Sequence, residues 1–245
     1  MRIVSVINQK GGVGKTATSI NLSAGLCMNG KKVLLIDLDP QASATLSLFK
    51  NYFEESIYNV FNRECDIDKT IKQYKENFYI VPSDIQLAGV EIRVDFDAYD
   101  ILKNQLGELK GFDYIIIDNP PAINLFTINS LLASQKVIIP VKTDYLSLKG
   151  FDQLKQTIER VQKKNSDLSI QGVVFTQYDQ RRNLDKDVIE GFDLKEKTRR
   201  FKTTIRTNVE IAEAPSRQQT IFEYAPKSNG ADDYYNLTKE VLSDG

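Results

Sequence analysis

Gly11-Gly12-Val13-Gly14-Lys15-Thr16 combines three glycines, an amine and a hydroxyl between an apolar stretch and one of helical period. Glycines in that setting let successive backbone N–H groups turn inward around an anion, and the N-terminus of the next helix, expected over Thr16–Met28, adds a favourable dipole. Lys15 is then placed to reach the β- and γ-phosphates of a nucleotide, and the Thr16 hydroxyl to ligate Mg2+. A second lysine, Lys10, opens the run. Two acid-bearing stretches complete the chemistry. Val33-Leu34-Leu35-Ile36-Asp37-Leu38-Asp39-Pro40-Gln41 buries four apolar residues and releases two aspartates at its carboxyl end. Tyr114-Ile115-Ile116-Ile117-Asp118-Asn119-Pro120-Pro121 places Asp118 to hold Mg2+ through water, and its proline pair favours a ligand-responsive loop. Either acidic stretch alone could be structural; both flanking one glycine loop argue for chemistry.

Strands and helices must position these groups. Apolar runs rich in Ile and Val predict buried strands at Arg2–Asn8, Lys32–Asp37, Phe78–Val81, Tyr114–Asp118, Val137–Val141 and Ile170–Thr176. Helical stretches lie between them. The clearest is Ser147–Lys163, where Leu148, Phe151, Leu154, Ile158 and Val161 recur every three or four residues. Alternating strands and helices imply an α/β fold: a mostly parallel twisted sheet with helices on both faces and ligands at the strands' carboxyl ends. No Pro/Gly/Ser-rich linker or internal repeat interrupts the chain, so residues 1–245 read as one domain, and no helix-turn-helix unit is expected before the first strand. Residues Lys50–Asn77 carry the weakest pattern; short helices are expected there.

Composition narrows the chemistry further. With no histidine among 245 residues, His-based acid–base catalysis and His-ligated zinc are excluded. Two cysteines, Cys27 and Cys65, make neither a disulfide framework nor a CxxC metal site. A net charge of −1 gives no global attraction to polyanions, so any nucleic-acid contact must come from a local patch.

Lys10-Gly11-Gly12-Val13-Gly14-Lys15-Thr16 resembles the deviant Walker A motif of the MinD/ParA group of P-loop NTPases. Asp37-Leu38-Asp39-Pro40-Gln41 is similar to that group's second aspartate motif, and Ile117-Asp118-Asn119-Pro120-Pro121 to its Walker B. Thr127–Leu131, Val137–Val141, Asn208-Val209, Glu213–Ser216 and Ala225–Ser228 with Gly230-Ala231 are similar to the ParA/Soj branch. The resemblance implies an ATPase that uses ATP and Mg2+, with Gly11, Gly12, Val13, Gly14, Lys15, Thr16 and Ala17 around the phosphates. It implies that Lys10 crosses to the partner's nucleotide in a homodimer formed on ATP binding. Asp39 would position the attacking water, Thr16, Asp37 and Asp118 would serve the metal, and Gln177 and Asn208 would hold adenine. Intrinsic hydrolysis would be slow and accelerated by a ParB-like partner. Two departures stand out: Arg206-Thr207 precedes Asn208 where relatives carry Pro-Arg, and Asn119 replaces the usual Cys, Thr or Ala.

Lys195, Lys197, Arg199, Arg200, Lys202 and Arg206 fall in a stretch whose only acid is Glu196, and Arg217 and Lys227 follow. On charge pattern alone this reads as a solvated helix face. The family resemblance favours nonspecific double-stranded DNA instead, through counterion release. A cytoplasmic, nucleoid-associated protein that makes no membrane contact is the expectation. The alternative is a MinD-like membrane-associated spatial regulator, whose basic C-terminal amphipathic helix is not matched by the acidic-tipped, lysine-poor stretch Tyr234–Gly245. A metabolic enzyme of the same superfamily is the third reading: missing cluster cysteines exclude an iron–sulfur reductase, and no substrate-specific motif favours a ligase.

Overall fold

In a computed structural model, residues 1–93 and 99–244 are described, with side chains for all of these except 91–93 and 145–149. Strands β1 (Arg2–Val6), β2 (Val33–Asp37), β3 (Lys72–Lys75), β4 (Phe78–Val81), β5 (Tyr114–Asp118), β6 (Lys136–Lys142), β7 (Ser169–Tyr178) and β8 (Ile205–Arg206) form one sheet in the order β3-β4-β2-β5-β1-β6-β7-β8. All neighbours pair in parallel except β3 with β4. The helices are α1 (Lys15–Met28), α2 (Ser43–Leu48), α3 (Ile57–Phe61), α4 (Ile67–Thr70), α5 (Ile101–Glu108), α6 (Leu125–Ala133), α7 (Tyr145–Gln162), α8 (Asn183–Lys195), α9 (Val209–Glu213), α10 (Ile221–Tyr224) and α11 (Asn229–Ser243).

Side chains alternate across a strand, so each buried strand feeds two cores. Val33 and Leu35 of β2 and Tyr114 and Ile116 of β5 pack with Ile20 and Leu26 of α1 and Tyr234 and Leu237 of α11. Leu34, Ile36, Ile115 and Ile117 face the other way, toward Ile57, Val60, Leu102, Leu106 and Phe126 of α3, α5 and α6. Further along that second face, Val137, Ile139, Val173 and Phe175 meet Phe151, Leu154 and Ile158 of α7 and Val188 and Phe192 of α8. Each such side chain, removed from water, contributes about 1.5–3 kcal/mol before entropy is counted.

This parity aims the chemistry. Asp37 continues the row Val33–Leu35 and Asp118 the row Tyr114–Ile116, so both carboxylates emerge on the face covered by α1. The register pairs Asp37 with Asp118 and Asp118 with Val6, which leads into the glycine loop. Three adjacent strands thus deliver the loop and both acids to one level of one sheet edge.

All six expected strands are present, and where their ends differ they do so by one or two residues. The expected helix Ser147–Lys163 is α7; Leu148's side chain lies outside the described ones. Between Lys50 and Asn77 the short helices α3 and α4 occur, but Lys72–Lys75 is a strand. Its single aromatic, Tyr74, stacks edge-on between Phe49 and Phe78, a long-range contact with no local signature. Because β3 adds a strand earlier in the chain, Gln177 stands near the end of the seventh strand, not the sixth, and the two-residue strand β8 is a further addition. Among the described residues no helix is long and apolar enough to cross a membrane.

Candidate functional site

The loop between β1 and α1 turns through left-handed backbone at Gly12 (φ 72°) and Gly14 (φ 86°), where a β-carbon would be strained. Two residues at the end of β7 brace it. The Thr176 hydroxyl donates to the Val13 carbonyl at 2.8 Å, and the Gln177 side-chain amide donates to the Gly12 carbonyl at 2.6 Å. Gln177 itself adopts φ 54°, so backbone strain is accepted where its side chain meets the loop. Lys15 is buried, with its ammonium 3.2 Å from the Lys10 carbonyl; burial lowers its pKa against the pull of Asp118 and Asp39.

Asp118 is fully buried and accepts two hydroxyl protons, from Thr16 at 2.8 Å and Ser19 at 2.9 Å. Thr16 gives its proton to Asp118 and so keeps its oxygen lone pairs for a cation. Hydroxyl, carboxylate and phosphate oxygens are the hard donors Mg2+ takes, and among the described residues no group of three or more His, Cys, Asp or Glu side chains forms a protein-only metal cage. The residues therefore fit a magnesium held mainly by nucleotide phosphates and water, with Thr16 as the protein ligand. Ser19 was not anticipated, although its spacing of three from Thr16 puts both on one face of α1.

Asp37 is also fully buried, and burial followed by the neighbouring Asp118 charge raises its pKa. Its Oδ1 accepts the Asp39 backbone N–H at 3.1 Å, and its Oδ2 accepts the Thr45 N–H and hydroxyl, both at 2.8 Å. With these three donors on its carboxylate, Asp37 orders the loop that carries Asp39. Asp39 itself faces the cleft described next.

That cleft, about 580 Å³, is lined at one end by Gly11, Gly12, Gly14, Lys15, Thr16 and Ala17 with Asp39 opposite, and at the other by Arg206, Asn208, Ile211, Pro215 and Tyr234. Val13 is buried behind the loop. The far end mixes apolar Ile205, Ile211, Ala212 and Pro215 with polar Arg206, Thr207 and Asn208, a lining that suits a flat base with polar edges. Asn208 caps α9, accepting the Ile211 N–H at 3.1 Å. A second cleft, of about 650 Å³ between α3, α4 and α5, is lined by Arg63, Glu64, Cys65, Asp66 and Lys69 among others and includes no residue of the glycine loop.

Lys10 is held by an acid outside the glycine loop. Its ammonium bridges both oxygens of Asp144, at 2.7 and 2.8 Å, on the segment between β6 and α7. The eight basic residues are not one open surface. Lys195, Lys197, Lys202, Arg217 and Lys227 are exposed; Arg199, also exposed, pairs with Asp244, and the half-buried Arg200 pairs with Asp193 at 2.7 Å. Arg206 turns inward to the rim of the cleft and pairs with Asp233. Glu240 accepts the backbone N–H groups of Lys202 and Thr203 at 2.8 and 2.7 Å. Asp233, Glu240 and Asp244 of one helical segment thus moor residues 199–206 along α11.

The sequence matches an AAA domain family model over residues 1–170. It is 45% identical over 251 residues to the sporulation initiation inhibitor protein Soj of Bacillus subtilis, covering 100% of this chain and 99% of that protein. It is 35% identical to the chromosome partitioning protein ParA of Caulobacter vibrioides, covering 99% of this chain and 94% of the relative. Among solved structures, cobyrinic acid a,c-diamide synthase from Mycobacterium smegmatis with bound ADP and magnesium superposes with a TM-score of 0.87 at 31% identity, covering 99% of this chain and 94% of that one. With its glycine loop, paired aspartates and full-length likeness to Soj and ParA, the chain belongs to the ParA/Soj-type partition ATPases, a branch of the deviant Walker A P-loop group.

Proposed function

We propose that this protein is an ATP-dependent DNA-partition ATPase that dimerises on Mg-ATP, binds double-stranded DNA without sequence preference and lets go on hydrolysis. The observation that carries the reading is the convergence at one sheet edge of the glycine loop, the Thr16–Asp118 pair and the Asp39 loop. Lys15 and the loop amides neutralise the phosphates, which in phosphoryl transfer accounts for much of the catalysis. Magnesium, when bound, would neutralise charge that builds on the phosphate oxygens. Thr16 would hold it, with Asp118 fixing the Thr16 hydroxyl and Asp37 supporting from behind. Asp39 would orient the attacking water, whose oxygen bonds to the γ-phosphorus as the bond to the β-bridging oxygen breaks. Gln177 and Asn208 would bound the base end.

Lys10 would leave Asp144 to reach the nucleotide of a second copy. Two copies of a weak basic surface bind DNA by avidity, so retention on DNA becomes conditional on ATP. Lys195, Lys197, Arg199, Arg200, Lys202, Arg206, Arg217 and Lys227 are the proposed surface, with Arg206 contributing from the cleft side. A ParB-like partner would accelerate an otherwise slow hydrolysis, and the protein would work in the cytoplasm on the nucleoid. The MinD-like alternative is disfavoured because the apolar face of α11, with Ala231, Tyr234, Leu237 and Val241, is buried in the core.

The test is DNA retention with and without Mg-ATP. The wild-type chain is expected to bind DNA only with ATP, and Lys15→Ala to lose this ATP-dependent retention together with nucleotide affinity. Binding indifferent to both ATP and Lys15→Ala would refute the switch.

A further inference from the structure

Helix α2 begins without a capping side chain. Its N-cap residue is Ala42, in left-handed backbone (φ 53°), so the N–H groups of its first turn need acceptors from elsewhere. Asp37, across the loop, provides one: its Oδ2 takes the Thr45 N–H and the Thr45 hydroxyl, each at 2.8 Å. The same hydroxyl accepts the Ser83 N–H at 2.9 Å, just beyond β4. Thr45 is itself fully buried. One side chain therefore ties the exit of β2, the start of α2 and the exit of β4 together.

We propose that Thr45 is a positioning residue for hydrolysis, which through Asp37 fixes where Asp39 stands beside the phosphates. The inference rests on the partition-ATPase reading above. Its logic is a short chain of contacts: Thr45 holds Asp37 Oδ2, and Asp37 Oδ1 holds the Asp39 backbone N–H at 3.1 Å. Asp39 also folds the loop behind it, with the Ala42 N–H on its carbonyl at 2.8 Å and the Gln41 N–H on its Oδ1 at 2.9 Å. The Thr45 hydroxyl touches none of the loop that cradles the phosphates, so its removal should disturb the placing of the water and leave nucleotide affinity alone. Small displacements of a water-positioning group are costly, a shift of about 1 Å reaching roughly a hundredfold in rate.

Thr45→Val keeps the shape and removes the hydroxyl; Thr45→Ser keeps the hydroxyl. Phosphate release from Mg-ATP is measured on the full chain, alongside binding of a fluorescent ATP analogue and thermal melting. Thr45→Val is expected to lower kcat about tenfold, as for loss of a hydrogen bond to a buried charge, with KM and analogue affinity within about twofold. Thr45→Ser is expected to restore most of the rate. Because Thr45 acts through Asp37, adding Thr45→Val to Asp37→Asn should cost little more than Asp37→Asn alone. Should Thr45→Val melt below the assay temperature, Thr45→Ala, which buries no second methyl, takes its place.

An unchanged kcat in a folded hydroxyl-less variant overturns the proposal, and so do losses that multiply in the double variant. A wild-type chain that releases no phosphate overturns the partition-ATPase reading itself and this role with it. The wild-type measurement thus separates the two failures.

Discussion

Arg206 and Asp233 meet in a two-point contact at the rim of the cleft, with Nη2 2.7 Å from Oδ1 and Nε 3.0 Å from Oδ2, and the Arg206 backbone N–H adds a third bond to Oδ2 at 2.9 Å. A sequence window that reads as a row of solvent-facing cations therefore contains one whose guanidinium closes the wall of a binding site. Replacing Asp233 by Ala removes the acceptor of all three bonds. Stability should fall by about 1–2 kcal/mol, a value reduced for the partial exposure of Arg206. Melting curves with and without Mg-ATP check this; an unchanged midpoint in both would show the pair to be idle.

Lys10 bound to Asp144 cannot at the same time serve a second copy. Asp144→Ala should lower the ATP concentration needed for dimerisation about two- to fivefold, the size of a partly exposed ion pair. Lys10→Ala should stay monomeric even with a non-hydrolysable analogue. Light scattering on a sizing column reads both. Wild-type dimerisation by Lys10→Ala would detach this lysine from assembly.

Gly25 on α1 has no room for a side chain, because the Thr238 hydroxyl of α11 occupies the place of its β-carbon. Gly25→Ala should force the two helices apart at a cost of about 1–3 kcal/mol. Thr238→Ala in the same chain should return part of the loss. Urea unfolding of the single and double variants decides between close packing and coincidence.

Burial raises the Asp118 pKa, and burial together with the adjacent Asp118 raises that of Asp37. A carboxyl whose folded pKa exceeds its unfolded one contributes stability at acid pH that is lost as pH rises through the folded value. The ligand-free protein should thus lose this contribution between acid and neutral pH, and Mg-ATP should offset the loss. Ser19→Ala removes a hydroxyl that pulls Asp118 down, so the loss should extend to higher pH. Melting across the pH range, without ligand, would sink the assignment if the variant were steadier than wild type toward neutral pH.

The glycine loop, Asp37, Asp39 and Asp118 were legible because each depends on neighbours within a few residues: a strand before, a turn after, the right side-chain types between. So were the six buried strands, whose apolar runs need no partner to be seen. Strand β3 was not, since Lys72-Gln73-Tyr74-Lys75 owes its shape to β4 and to Phe49. Thr45 on Asp37, Asp144 on Lys10 and Thr176 on Val13 were equally hidden. Each lies beside its partner only after the sheet has assembled, and nothing in a threonine or an aspartate marks it in advance. The basic stretch was visible as charge, but its division between solvent and α11 depends on acids 27 to 45 residues away.

The one-to-one register of Asp37 with Asp118 makes catalysis and core packing a single inheritance. Because side chains alternate, slipping either strand by one residue would send one acid to the opposite side of the sheet and exchange every apolar neighbour at the same stroke. Insertions inside β2 or β5 should therefore abolish folding and chemistry together. Lengthening the turns at the far ends of these strands should spare both, which marks those turns as the places where a tag or reporter can be grafted.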